Sequence, residues 1–395
     1  MQKKVILKKG KEESLQRFHP WVFSGAIASI EGNPEEGDVV DVYTSHNEWI
    51  AVGHIQVGSI AVRVLSFTPV PIDGNFWTGR LHNALMVRCS LGLVGRKDHT
   101  VYRLVHGEGD GLPGLIIDIY GHTAVIQAHS IGMHRSRFEI AEILKKVMEG
   151  QIQAIYYKSE TTLPDKAPIE LNDCYLDGGP VDDDEWLEYG MKMPVDWING
   201  QKTGLFIDQR ENRALLEKMS AGRKVLNMFC YTGGFSVYAL RGGAKSVDSV
   251  DVSEKAIELV NKNVEHNFPQ TQNSNHHAYA QEAFEYLSGC KDKYDLIIND
   301  ATDPTGHEAG LFTKEFYGNC FKALHDDGIM VYQHGSPFFD EDEVNCRAMH
   351  RKAVKSFPVM KVYQAHIPTC PSGYWLFGFA SKKYHPLQDF DAARW

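Results

Sequence analysis

The chain lacks any apolar run that approaches the roughly 20 residues a helix needs to span a bilayer. It has only seven cysteines, an odd number without a Cys-X-X-Cys pair. That usage fits reduced thiols better than a disulfide framework and argues against a cysteine zinc site. Residues 1–4 lack the apolar core of a signal peptide. The net charge of −10 argues against indiscriminate nucleic-acid binding, although it leaves room for a local basic face. These absences predict a cytoplasmic protein.

The 395 residues have a globular composition, with 43% apolar and 23% charged residues, and their number predicts two or three domains. Short apolar or alternating runs between turn residues predict a small barrel over residues 1–70. Pro69 and Pro71 mark a linker after it. A predicted helix over residues 75–91, followed by strands and a second helix, indicates a middle α/β domain over residues 75–185. The acidic run at 182–185 is expected to be a solvated loop rather than a metal site.

From residue 223 onward, predicted strands and helices alternate. This pattern predicts an α/β fold with a parallel, doubly wound sheet in a third domain over residues 190–395. Ligands of such sheets bind outside the carboxyl ends of the strands. The predicted strands are 224–229, 246–251, 294–299 and 329–332, and the predicted helices are 235–241, 254–266 and 282–287.

A glycine pair follows the first of these strands and opens a candidate pocket. In Cys230-Tyr231-Thr232-Gly233-Gly234, the glycines let the backbone approach a ligand closely, although a plain strand-to-helix turn explains a lone Gly-Gly about equally well. Asp251 ends the next strand, about 18 residues beyond Gly233, where an acidic side chain accepts hydrogen bonds from a ribose diol. Glu282 and Asp300 follow at the next strand ends. Acidic or glycine-rich residues at four successive strand ends predict a nucleoside-bearing cofactor.

Residues 1–298 resemble the bacterial ribosomal RNA large-subunit methyltransferases of the cytosine-5 type, which carry an N-terminal PUA domain. The resemblance is carried by residues 17–25, 105–115, 200–213, 225–234 and 250–253. It implies a PUA-like barrel, a middle α/β domain and a Rossmann-like domain that binds S-adenosyl-L-methionine (SAM). It also implies that Phe206, Gln209 and Arg213 lie beside the cofactor, while Asp251 and Glu282 hold its ribose and adenine. The full predicted cofactor set is Phe206, Gln209, Arg213, Cys230, Thr232, Gly233, Gly234, Asp251, Ser253, Glu282 and Asp300.

The first predicted domain also suits RNA on independent grounds. Six basic residues within the first 17 positions lie close in sequence to Phe18, His19, Trp21 and Phe23. Basic groups neutralise phosphates, and aromatic faces stack on unpaired bases. The alternative is a set of core aromatics beneath an ordinary solvated lysine face.

After Asp300 the methyltransferase pattern fails. Cytosine C5 is a poor nucleophile, so these enzymes add a cysteine thiolate to C6 before methyl transfer. The expected thiol is missing here, because the strand at 329–332 runs into Gln333-His334-Gly335-Ser336-Pro337. The next cysteines, Cys346 and Cys370, lie in unrelated contexts, and Cys346 is predicted to be structural.

Residues 294–395 instead resemble the polyamine aminopropyltransferases, spermidine synthase above all. The resemblance is carried by residues 300–304, 310–317, 367–373 and 375–382. It implies that Asp300 orients or deprotonates the attacking amine of putrescine, while Asp303 and Gln333 bind the diamine; these three are the predicted catalytic residues. The segment departs from that family at Cys370, where a tyrosine is expected, and at Gly335, where a glutamate is expected. The usual glycine-rich cofactor loop and the amino-terminal gate are also absent.

The chain therefore looks like a chimera spliced at the fourth strand of a shared Rossmann-like fold, with residues 298–395 aminopropyltransferase-like. Three hypotheses remain open. The first is a SAM-dependent rRNA methyltransferase impaired by the missing thiol. The second is an aminopropyltransferase that uses decarboxylated SAM and putrescine, and the third is an inactive RNA-binding protein. The expected partner is ribosomal RNA, with putrescine under the second hypothesis; no metal or membrane is expected, and a homodimer is an open option.

Overall fold

A computed structural model describes residues 2–164, 172–182, 185–269, 275–301, 313–337, 340–366 and 374–393. The chain divides into two compact units. The first contains Met1–Gly190 and Val195–Ile207, and the second contains Met191–Pro194 and Asp208–Trp395. No helix in these described ranges is long and apolar enough to cross a membrane.

The first unit begins with a six-stranded sheet in the order β2-β6-β5-β4-β1-β3. Several of its strand pairs contain a register shift, and such bulges increase the local bend of a sheet. Alternating residues such as Val5, Leu7 and Val42 are fully buried in its core. Its elements are β1 (Lys4–Leu7), α1 (Glu13–Gln16), β2 (Trp21–Phe23), β3 (Ile27–Glu31), β4 (Val39–Tyr43), β5 (Trp49–Ile55) and β6 (Ile60–Ser66).

A five-stranded sheet in the order β11-β10-β9-β8-β7 follows in the same unit. Helix α2 starts at an Asp73 cap, whose carboxylate accepts hydrogen bonds from the backbone of Asn75 and Phe76. Apolar side chains of α2 and α4, including Trp77 and Leu144, pack in one core with residues of this sheet. The elements are α2 (Gly74–Ser90), β7 (Val101–His106), β8 (Leu115–Tyr120), β9 (Thr123–Ala128), α3 (Ile131–Arg135), α4 (Arg137–Val147), β10 (Ala154–Tyr157), β11 (Cys174–Asp177) and β12 (Leu187–Glu188).

The second unit contains a seven-stranded sheet in the order β16-β15-β14-β17-β18-β20-β19. Strands β14 to β18 run parallel, and β20 runs antiparallel to both of its neighbours. The elements are β13 (Met191–Lys192), α5 (Arg210–Met219), β14 (Lys224–Met228), α6 (Gly234–Arg241), β15 (Ser246–Asp251), α7 (Glu254–Asn267), β16 (His276–Ala280), α8 (Ala283–Ser288), β17 (Tyr294–Asn299), α9 (Lys314–Ala323), β18 (Leu324–Gly335), α10 (Asp340–Val354), β19 (Val359–His366) and β20 (Tyr374–Ser381).

This architecture confirms the predicted α/β fold with a parallel, doubly wound sheet. The predicted strand at 329–332 is longer in the structure, because β18 spans Leu324–Gly335. The helix predicted to start at residue 282 starts one residue later, since Glu282 adopts an extended backbone and forms the N-cap of α8. The acidic run at 182–185 lies partly outside the described residues.

Candidate cofactor-binding site

The carboxyl ends of five parallel strands meet at one edge of the second unit's sheet. The pairing of residues on neighbouring strands shows that the strands end at the same level. Met228 of β14 pairs with Val250 of β15 on one side and with Asn299 of β17 on the other. Further pairs join Asp251 to Ala280 and Asn299 to Tyr332. The predicted residues near or just after the carboxyl ends of these strands therefore come together at the same edge. They are Cys230, Thr232, Gly233, Gly234, Asp251, Ser253, Glu282, Asp300 and Gln333.

The loop between β14 and α6 has an unusual backbone. Phe229, Tyr231 and Gly233 all have positive φ, at 56°, 47° and 80°. A Cβ on Gly233 would overlap the Cγ2 atom of buried Val260 on α7, so both the backbone and the packing require glycine. The amide Nδ2 of Asn263 on the same helix donates to the carbonyl of Thr232 over 3.0 Å. Helix α7 therefore holds the loop in its bent form.

Asp251 is bound by the loop and by the helix that follows it. Its Oδ2 accepts a hydrogen bond from the backbone N–H of Tyr231 at 3.0 Å, and its Oδ1 accepts one from the N–H of Ser253 at 3.0 Å. The Ser253 side chain in turn caps α7. Each carboxylate oxygen keeps a second lone pair, and the next side chain, Val252, is 62% exposed. Glu282 is exposed, and its side chain makes no cap hydrogen bond.

Cys230 is buried within this loop. Burial, together with the nearby Asp251 carboxylate, raises the pKa of its thiol far above the ordinary value. The thiolate is the nucleophilic form of cysteine, so Cys230 is poorly suited to attack a substrate. The Cys346 thiol is also buried and donates to the carbonyls of His334, at 3.0 Å, and Ser336, at 3.6 Å. Among the described cysteines, these two do not supply the nucleophile that cytosine C5 chemistry needs.

The burial of Cys230 leads to a labelling prediction. With iodoacetamide at pH 8, we expect the exposed Cys89 and Cys174 of the native chain to be alkylated well before Cys230, because a buried thiol with a raised pKa supplies little thiolate. Peptide mass spectrometry over a time course measures the order, and labelling in urea controls for intrinsic reactivity. Alkylation of Cys230 as fast as Cys89 in the native chain would contradict the assignment.

A second cluster surrounds Asp300 at the end of β17. Asp300 Oδ1 accepts hydrogen bonds from Gln333 Nε2 at 2.7 Å and from Gln209 Nε2 at 3.2 Å. Gln333 Oε1 accepts from the indole of Trp375 at 3.0 Å, and Gln209 Oε1 accepts from Asn212 Nδ2 at 2.7 Å. The carboxyl is thus held through one oxygen by two neutral amides.

The surroundings of Asp300 disfavour its charged form. Burial raises its pKa to about 7, with a further increase from the nearby Asp208. The hydrogen bond from Gln333 and the charge of buried Arg213 act in the opposite direction. A carboxyl that titrates near neutral pH can accept a proton from a reacting group.

Two of the predicted site residues stay predictions. Phe206 belongs to the first unit, and its place beside the cofactor is not tested by the sheet edge of the second unit. Asp303 lies outside the described residues, as do residues 367–373. Sequence reasoning missed Asn212, Asn263 and Trp375, whose contacts join positions far apart in the chain and leave no local spacing signal.

Comparisons with known proteins agree with this arrangement. Residues 5–67 match the PUA-like domain family, and residues 224–392 match the spermine/spermidine synthase domain family. The ribosomal RNA large subunit methyltransferase I of Aeromonas hydrophila is 38% identical over 340 residues, which cover 84% of this chain and 83% of that protein. A putative SAM-dependent methyltransferase from Streptococcus mutans has the same fold, with a TM-score of 0.78 at 20% identity over 96% of this chain and 100% of that chain.

The carboxyl-terminal segment has a second set of relatives. The polyamine aminopropyltransferase of Agathobacter rectalis is 73% identical over 117 residues, which are 30% of this chain. This chain spans only 41% of the length of that relative. The match confirms the predicted chimera of two related folds.

The chain combines a Rossmann-like methyltransferase fold with a PUA-like domain. Identity well above 30% across most of both chains identifies the particular family. The chain belongs to the ribosomal RNA large subunit methyltransferase I family.

Proposed function

We propose that the chain binds SAM at the edge site of the second unit and acts on ribosomal RNA as a methyltransferase. The observation that carries the proposal is the Asp251 carboxylate, fixed by two backbone N–H groups beside the bent loop of residues 229–234. Family membership supports the RNA substrate, because the relatives named above are ribosomal RNA methyltransferases.

The residues at the edge fit an adenosyl group. The free lone pairs of Asp251 suit the two hydroxyls of a ribose, and the exposed Val252 offers an apolar surface for a base. Thr232, Gly233 and Gly234 bring backbone rather than bulky side chains to the centre of the edge. Bound SAM would supply an electrophilic methyl group on its sulfonium. The chain's part is to hold the nucleoside and to place the acceptor near Asp300.

The missing thiol limits the chemistry within this function. We expect SAM and RNA binding, with little or no formation of 5-methylcytosine, because residues 333–337 lack the expected thiol and the Cys230 thiol is not activated. Mass spectrometry of ribosomal RNA incubated with the pure protein and SAM tests this. Abundant 5-methylcytosine would show that another group performs the thiol's role.

Aminopropyl transfer is the second candidate, and Asp300 is the observation that favours it. A diamine nucleophile must lose a proton, and a carboxyl that titrates near pH 7 is a suitable acceptor. Gln333, to which the resemblance to spermidine synthase assigns diamine binding, donates a hydrogen bond to that carboxyl. Chromatographic detection of spermidine from labelled putrescine and decarboxylated SAM tests this candidate. Binding of either cofactor without any product would support the inactive RNA-binding protein.

Asp251 provides a direct test of the cofactor site. Asp251→Asn would replace one of the two acceptor oxygens with an amide that donates, so we expect SAM affinity to fall about 10- to 100-fold, equivalent to about 1.4–3 kcal/mol. Equilibrium dialysis with SAM and its by-product S-adenosylhomocysteine measures the loss. Glu254→Gln, at an exposed carboxylate in the first turn of α7, is the matched control. If Asp251→Asn binds as tightly as that control, the ribose is not held there.

A further inference from the structure

A polar cluster lies on the five-stranded sheet of the first unit, outside the cofactor site. The apolar core with α2 and α4 contains Leu115, Ile117 and Ile119 of β8. Because side chains alternate between the two faces of a sheet, Asp118 and Tyr120 of the same strand face the opposite side. On that side Asp118 is paired with Arg103 through two hydrogen bonds of 2.7 and 2.8 Å. Asp118 also accepts a hydrogen bond of 2.6 Å from Thr203.

Thr203 belongs to a segment that is firmly attached to this sheet. Besides the contact with Asp118, its hydroxyl is 2.8 Å from the Tyr120 hydroxyl. The preceding residue, Lys202, is held at its carbonyl by Gln127 Nε2 over 3.2 Å. Buried Lys158 donates to the carbonyl of Gly200 at 2.9 Å. These contacts fix the backbone on both sides of Lys202.

Lys202 itself is held in a costly conformation while its side chain is exposed. Its φ is +52°, in the left-handed region that is uncommon for a residue with a Cβ. In the part of the chain that the structure describes, no acceptor bonds its ammonium group. Residues held in such backbone regions by surrounding structure are concentrated at ligand sites. The arrangement fixes the backbone from which one exposed, positively charged side chain extends.

Arg63 on β6 brings a second positive charge to the same region. Gly114 lies beside both Arg63 and His129. A Cβ at Gly114 would lie 3.5 Å from Arg63 Cδ, and the Gly114 carbonyl accepts from the N–H of His129 at 2.8 Å. The Nη1 atom of Arg63 is buried, and within the described ranges no acceptor contacts it. A desolvated guanidinium nitrogen without an acceptor is costly, and it points to an anion or water that completes it.

His129 is bonded to Gly114 through its N–H and follows Gln127, which holds Lys202, by two positions. Burial lowers its pKa to about 4, and the charges of Arg103, Arg63 and Lys202 lower it further. The opposing charges are Asp118, already paired with Arg103, and Glu108, which acts on Arg63 and accepts the Trp21 indole N–H at 2.8 Å. Arg63 and Lys202 therefore remain as cations without an ion pair among the described residues.

We infer that Arg63, His129 and Lys202 form a subsite for a phosphate group of an RNA backbone in the first unit. The inference rests on the proposed function for its choice of RNA. It joins residues of the five-stranded sheet to Arg63 of the first sheet, which pairs in register with Trp21 of the predicted aromatic face. Guanidinium and ammonium groups donate to phosphate oxygens, and such contacts position an RNA without reading its sequence.

Binding of a fluorescein-labelled single-stranded RNA to the full chain, followed by fluorescence anisotropy without cofactor, tests the subsite. We expect Lys202→Gln to weaken binding about 3- to 10-fold at low salt and to reduce the slope of log affinity against log salt by about 0.7, the value for one phosphate contact on a single strand. Lys202→Arg should restore most of the affinity. Lys97→Gln, at an exposed lysine in a turn of the same unit, removes the same charge and should change neither quantity.

Arg63→Met separates a binding role from a structural one. If Arg63 holds RNA, the variant loses affinity while its melting temperature stays equal or rises, because a desolvated charge without a partner has been removed. A lower melting temperature with unchanged RNA affinity would overturn the inference. So would a Lys202→Gln variant that binds RNA like the Lys97→Gln control.

Two further measurements identify the ligand. At millimolar concentration, inorganic phosphate should not displace the RNA, and it should not raise the melting temperature as RNA does. If phosphate has both effects, the subsite binds free phosphate and not an RNA backbone. Equilibrium dialysis with SAM reports on the cofactor site alone. A chain that binds RNA through Lys202 but retains no SAM would contradict the proposed function and leave this subsite intact.

Discussion

Gly233→Ala should abolish SAM binding and destabilise the second unit. The substituted residue would have to keep a φ of +80°, and its Cβ would overlap Val260, which is fully buried. The left-handed conformation costs about 1 kcal/mol for alanine, and overpacking a core typically costs a further 1–3 kcal/mol. Thermal unfolding measures the stability, and dialysis at a temperature where the variant is folded measures SAM retention.

A second variant distinguishes loop distortion from general unfolding. Val260→Ala removes the Cγ2 atom that the added methyl group would overlap, although the Cβ at position 260 would still lie 2.8 Å from it. Gly233→Ala combined with Val260→Ala should therefore recover only part of the stability that the single variant loses. The left-handed backbone remains unfavourable, so full recovery is not expected. If Gly233→Ala alone binds SAM like the unmodified chain, the bent loop does not contribute to the site.

The sheet that carries the site could be predicted from the sequence because its strands are short, apolar and separated by helices. The bounds of β17 and β15 agree with the prediction, and glycine and aspartate at the strand ends identified the edge. The loop at residues 229–234 was recognisable because glycine is needed where the backbone turns left-handed. Local pattern therefore identified the sheet edge at which the site is proposed.

Other parts of the fold depend on contacts that local pattern does not contain. Strand β20 inserts between β18 and β19 and reverses direction, which places Trp375 against Gln333. The distance in sequence is 42 residues, and nothing in either segment indicates the partner. Trp21 and Phe23, which the sequence analysis treats as aromatic residues suited to RNA, lie on the short strand β2, whose three residues are too few for a periodic pattern.

The splice explains why the Asp300 cluster could be only half predicted. Gln333 follows from the resemblance of the last hundred residues to aminopropyltransferases, whereas Gln209 comes from the methyltransferase-like part of the chain. In the structure both amides donate to the same carboxyl oxygen. The hydrogen bonds at Asp300 therefore join segments that resemble different families, and neither resemblance alone predicts the pair.

Asp300→Asn should make the chain more stable above pH 7, and the gain should disappear near pH 4. Burial raises the pKa of Asp300 from 3.8 to about 7, so the folded state binds a proton that the unfolded state has released over this interval. The free energy of unfolding of the unmodified chain consequently falls as pH rises from about 4 to 7. Above about pH 7, Asp300 adds no further pH dependence. A neutral asparagine avoids this loss and can still accept from Gln209 and Gln333.

The size of the effect follows from the shift. At 1.36 kcal/mol for each pKa unit, the upper bound is about 4 kcal/mol above pH 7, and we expect about 1–3 kcal/mol once local relaxation is allowed. Urea unfolding at pH 4, 6 and 8 measures the difference, with Asp326→Asn at an exposed carboxyl on β18 as the control for removal of one negative charge. If Asp300→Asn is instead less stable at pH 8, the two amides stabilise an ionised carboxylate more than burial opposes it, and Asp300 would then be a fixed negative charge rather than a proton acceptor.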